Sequence, residues 1–115
     1  MLGFMKLFML MLLTAAMSFA ADMTGKWTFH VMLDAGGGDP TFEFKQAGDK
    51  LTGTYHGQIG EAPLTGTVKG NAVEFTFTSQ AGAVKYTGTL DGEKKIAGKC
   101  EYGELGNGTF TGTKD

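Results

Sequence analysis

The sequence predicts an all-β domain: an eight-stranded antiparallel up-and-down β-barrel, with a β-sandwich as the alternative. Three observations predict it. From residue 23 onward each apolar segment alternates with period two, and none carries a helical period. The links between segments are short and built of turn residues, which makes neighbouring strands antiparallel. Eight such segments fit within residues 21–115, each near the usual strand length of about 5–6 residues. Alternation cannot separate a barrel from a sandwich, because both bury one face.

Residues 1–20 stand apart from that pattern. MLGFMKLFMLMLLTAAMSFA carries one charge, Lys6, then the apolar run Leu7 to Leu13, then small residues ending Ser18-Phe19-Ala20. A basic start, a short apolar stretch and small residues before the cut describe a secretory signal peptide. The run is short for a spanning helix of about 20 residues. The expectation is cleavage near Ala20 and an exported, periplasmic or secreted, domain of residues 21–115.

The eight expected strands follow in order. Residues 23–33 put Met23, Gly25, Trp27, Phe29, Val31 and Leu33 on one face. Phe42 and Phe44 share that face in the second, and Leu51, Gly53 and Tyr55 in the third. Leu64, Gly66 and Val68 follow, then Val73, Phe75 and Phe77. Val84, Tyr86, Gly88 and Leu90 make the sixth; Ile96, Gly98, Cys100 and Tyr102 the seventh; Gly108, Phe110 and Gly112 the eighth. All ten aromatics of residues 21–115 fall on this face, and the threonines fall on the other. One face is therefore core and the other is wetted. A membrane-spanning barrel needs an apolar outer band, so membrane insertion is not expected.

Composition limits function. All ten basic residues are lysine, unclustered, in a chain of net charge −2, which gives no footprint for nucleic acid. A single cysteine allows no disulfide framework. No metal-ligand spacing and no cofactor motif occur, so no metal and no cofactor are expected. Ser79 has no expected histidine or acid beside it. His30 and His56 point outward on strands that do not pair. Cys100 faces the core as an inert thiol. The expectation is a non-enzyme.

A five-residue pattern recurs: Met23-Thr24-Gly25-Lys26-Trp27, Leu51-Thr52-Gly53-Thr54-Tyr55, Leu64-Thr65-Gly66-Thr67-Val68 and Tyr86-Thr87-Gly88-Thr89-Leu90. Each copy puts its glycine on the core face, where it permits a sharp bend or makes room for a ring. Gly25-Lys26-Trp27 opening the first strand resembles the G-x-W signature of the calycin superfamily. With Leu51-Thr52-Gly53-Thr54-Tyr55 it looks most like the bacterial avidins. The resemblance implies a small-molecule-binding barrel, and up-and-down connectivity makes Trp27, near the start of the first strand, the plug of its closed end. It does not extend to biotin: Phe29 and Leu33 stand where inward polar residues are needed, and Gly57 stands in place of a serine. Lys114 is the only candidate for the basic residue that lipocalins stack on the tryptophan.

Up-and-down connectivity places four links at one end: Asp34 to Pro40, Gly57 to Pro63, Ser79 to Ala83 and Gly103 to Asn107. These are the expected long mouth loops. They carry Asp34, Asp39, Glu61 and Glu104 and no lysine, which favours a neutral or cationic ligand over an anion. Tyr55, Tyr86 and Tyr102 are the inward groups with polar tips and, with Phe29, Leu33, Phe42 and Phe77, form the candidate ligand site. The interior is either filled by its rings or keeps a small cavity. The expected function is binding of a small apolar ligand by a monomer. The alternative is an interaction or inhibitor module that meets a protein partner through the loops around Ile59, Pro63 and Leu105.

Overall fold

The computed structural model describes residues 22–115. The expected signal peptide lies outside the described residues. The strands are β1 (Gly25–Leu33), β2 (Gly36–Gly38), β3 (Thr41–Ala47), β4 (Lys50–Gly57), β5 (Gly60–Lys69), β6 (Ala72–Ser79), β7 (Gly82–Leu90), β8 (Lys95–Tyr102) and β9 (Asn107–Lys114). A 3-10 turn, Gly103–Leu105, precedes β9.

Eight strands pair in order, each antiparallel to the next, and β9 returns to β1. That last pairing runs from Trp27 opposite Lys114 to Leu33 opposite Gly108. The sheet is therefore a closed barrel, and the sandwich alternative falls. The ninth strand, β2, is extra. β3 covers only Gly25 to Thr28 of β1, and β2 folds back to pair with Val31 to Leu33 above it.

Two of the four expected long loops are tight turns instead. Gly57 pairs with Gly60 across Gln58-Ile59, and Ser79 pairs with Gly82 across Gln80-Ala81. The physical reason is glycine at the first residue after each turn. Gly60 and Gly82 have φ of 103° and 109°, a region nearly closed to other residues, and this lets the chain re-enter the sheet at once. Glu61 and Pro63 are consequently strand residues on the outer face of β5, not loop residues.

The ten aromatic rings of the described residues are all buried. Phe29 sits at their centre: its ring centroid is 5.1 Å from Phe110, stacked, and 4.6 Å from Phe42. It also meets Trp27, Phe44, Phe75 and Tyr86 within 6.3 Å. Contacts continue upward from Phe42 to Tyr55 and from Tyr55 to Phe77 at 5.4 and 4.4 Å. The interior is thus filled by rings, each pair adding about 0.5–1.5 kcal/mol beyond its area burial.

Such crowding needs residues without side chains beside it. A Cβ on Gly112 would stand 2.6 Å from two atoms of the Phe29 ring. The glycine thereby supplies the space the central ring occupies.

The lower end is sewn shut. Trp27 is fully buried, and its indole Nε1 donates to the Met23 carbonyl at 2.9 Å. Gln46 Oε1 accepts from the Met23 backbone N–H at 2.9 Å. The Lys114 stem lies against Gly25, and its ammonium donates to the Asp22 carbonyl at 3.2 Å. Outward positions carry Thr, Lys and Glu, with Thr52, Thr65 and Thr76 side by side on three strands. No helix among the described residues is long and apolar enough to cross a membrane.

Candidate functional site

The upper end differs because β3 stops short of it. β1 continues five residues past Thr28, its last partner in β3, and β2 pairs with the final three, Val31 to Leu33. Between β2 and the β4–β5 turn a recess of about 620 Å³ opens. One wall is the backbone of Gly36 to Pro40, and the other is Gly57, Gln58 and Ile59. Leu33 and Leu105 border it, and Val31, Tyr55 and Tyr102 lie at its base.

The base carries hydroxyls. Tyr55 and Tyr102 are nearly fully buried. Burial pushes the Tyr55 phenol up, partly offset by the Ile59 backbone N–H and the Tyr102 hydroxyl acting on its oxygen. The Tyr102 hydroxyl is hydrogen-bonded to that of Tyr86 behind it. Burial pushes both phenols well above the ordinary range. All three stay neutral at physiological pH and act as hydrogen-bonding groups rather than charges. Gly57 makes room for them: a Cβ there would collide with the tip of the Tyr55 ring.

The structure brings together three of the seven candidate ligand residues, Leu33, Tyr55 and Tyr102, at this recess. Tyr86 is one layer below. Phe29, Phe42 and Phe77 lie within the packed rings. Trp27 is at the opposite end, buried beneath Phe29 and Phe44.

The acidic residues divide. Asp39 lines the recess, but its carboxylate also meets His30 Nδ1 on the outer wall at 2.6 Å. Asp34 lies in the β1–β2 turn and Glu104 in the 3-10 turn, neither in an ion pair among the described residues. Glu61 instead faces His56 Nδ1 at 3.5 Å across the β4–β5 hairpin. Both histidines therefore have carboxylate neighbours, which alternation alone does not reveal.

Other groups are structural. Ser79 Oγ donates to the Gly82 carbonyl at 3.0 Å and accepts from the Ala81 N–H at 3.1 Å, holding its turn. Cys100 is buried, and burial pushes its thiol up to about 11. No cluster of three or more His, Cys, Asp or Glu able to hold a metal occurs among the described residues.

The residues that sequence reasoning missed are Val31, Pro40, Gln58 and the wall of β2. Three consecutive glycines show no alternation, so β2 leaves no period to read. The one usable signal was Asp34-Ala35 set between Leu33 and Gly36, a hairpin spacing.

No protein-family model matches the chain, and no curated protein matches it in sequence. Among solved structures it is similar to a de novo designed fluorescence-activating β-barrel, with a TM-score of 0.63 at 14% identity. The match covers 81% of this chain and 94% of that one. At that identity the likeness is one of fold.

Proposed function

We propose that this chain is an exported β-barrel that binds a small apolar ligand, neutral or cationic, in the recess beside β2. One observation carries the reading: an apolar rim of Leu33, Ile59 and Leu105 above the buried tyrosines Tyr55 and Tyr102. A volume of about 620 Å³ falls inside the usual range for small-molecule sites, about 300–1,000 Å³. The tyrosines would orient the ligand through its polar end. Asp34, Asp39 and Glu104 at the same end disfavour anions. The ligand sits at the mouth, because the rings occupy the interior. Export rests on the signal-like residues 1–20, and the calycin-like assignment on Gly25-Lys26-Trp27. No catalytic role is proposed.

Native mass spectrometry of the protein taken from its own compartment tests the reading. A constant added mass, lost on Leu105→Asp, supports it. Direct titration should rank a neutral naphthalene dye and a cationic relative above a sulfonated one. Tight binding of the sulfonated dye in low salt would overturn the charge argument, and binding of none of the three would overturn the site.

A second reading has its own observation. Among the described residues Met32 and Leu105 are the exposed large apolar side chains, at 55% and 37%: Met32 on the outer face of β1 opposite Gly37, Leu105 at the rim of the recess. A protein-docking module would use them.

A further inference from the structure

Closing a sheet into a barrel removes its edges. Here β1 and β3 to β9 each have a strand on both sides, whereas β2 has β1 on one side alone. Its far side, Gly36 to Gly38, makes no backbone hydrogen bond to another segment among the described residues. The described residues therefore keep one strand with a free edge, and it consists of glycine.

That edge coincides with two other asymmetries. It forms a wall of the recess, facing Ile59 and close to Leu33 and Leu105. The turns at this end also carry Asp34 and Glu104 and no lysine. The opposite end mixes both signs, with Lys50, Lys69 and Lys94 near Asp49, Asp91 and Glu93. A free edge offers main-chain pairing, apolar neighbours offer pockets for alternate side chains, and a one-signed rim selects charge. Glycine leaves both faces of β2 bare of its own side chains, with the Gln58 side chain beside Gly38. Around Gly36 a Cβ would meet nothing within 4 Å.

We propose that the outer edge of β2 takes up an extended, lysine- or arginine-bearing segment of another protein as an added strand. Its apolar side chains would lie on Leu33, Ile59 and Leu105, and its cations beside Asp34 and Glu104. This proposal does not depend on a small-molecule ligand, although an occupied recess would compete with it.

The experiment uses the full chain, isotope-labelled, titrated with a capped hexapeptide alternating lysine and valine and followed by amide NMR. Three comparisons accompany it: the same peptide N-methylated on alternate residues, a glutamate–valine peptide, and the Asp34→Asn/Glu104→Gln variant. Pairing predicts shifts centred on the Gly36 to Gly38 amides. It also predicts at least about tenfold weaker binding of the N-methylated and the glutamate peptides. The double variant should weaken the lysine peptide roughly threefold or more. Equal binding of the N-methylated peptide, shifts centred elsewhere, or no binding at millimolar peptide would each overturn the proposal. A neutral dye that still binds in those cases would leave the small-molecule reading standing.

Discussion

Replacing Gly112 by alanine adds one methyl group at the most crowded point of the barrel. Its Cβ would lie 2.6 Å from Cδ1 and Cε1 of Phe29 and 2.9 Å from Cγ2 of Ile96. Gly112 does not have a positive φ, so alanine suits the backbone. On that ground alone the change would stabilise by about 0.4–1 kcal/mol through the unfolded chain. Overpacking opposes it at about 1–3 kcal/mol, and Phe29 cannot easily yield because it is held by six other rings. The net expectation is a loss of about 1–2 kcal/mol, read by equilibrium urea unfolding, or roughly 4–8 °C in Tm for each kcal/mol. Phe29→Leu should remove the obstacle. The double variant should then be more stable than the sum of the single losses by about 1 kcal/mol. Strict additivity, or a Gly112→Ala protein more stable than the parent, would refute the claim that this glycine exists to seat the ring.

Gly57→Ala should move the Tyr55 tip out of its place at the recess, weakening dye binding more than stability; equal dye affinity in a titration would contradict that placement. Alkaline pH should destabilise the fold. Burial raises Cys100 from 9.0 to about 11 and raises Tyr55, Tyr86 and Tyr102 above 10.0. The folded state thus keeps protons that the unfolded chain releases. Stability is full below about pH 9 and falls as pH climbs, by at most about 1.4 kcal/mol per unit for each group; Cys100→Ala should flatten the Tm decline between pH 9 and 11. In the native state Cys100 should resist a thiol reagent at pH 8 until urea is added, and fast labelling without urea would show that the thiol is open.

The core was legible in the sequence residue by residue. Alternation sends Trp27, Phe29, Phe42 and Tyr86 inward because a strand offers only two faces. Closure was legible only indirectly, through an even strand count and glycines on the inner face. The site was harder to read. Tyr55 and Tyr102 could be assigned to the inside, but their height in the barrel depends on how long each turn is. Reading Gly57 to Pro63 as a loop placed Glu61 at the mouth, whereas Gly60 ends the turn early and sends it to the wall. The recess itself comes from β3 starting late, at Thr41. No local pattern encodes that, because it is a matter of which partner β1 has at each step.

The pairing of β9 with β1 also fixes when this molecule can come into being. Asp115, just after β9, donates its backbone N–H to the Lys26 carbonyl at 2.9 Å. Nearly the whole described chain lies between those two partners. The staves can assemble hairpin by hairpin from local contacts, but the last seam must wait for β9, and such distant closures are slow. Until then the far edge of β8 and one side of β1 stand open to any passing strand. Removing β9 would therefore not trim the barrel; it would leave β8 and β1 without the strand that joins them.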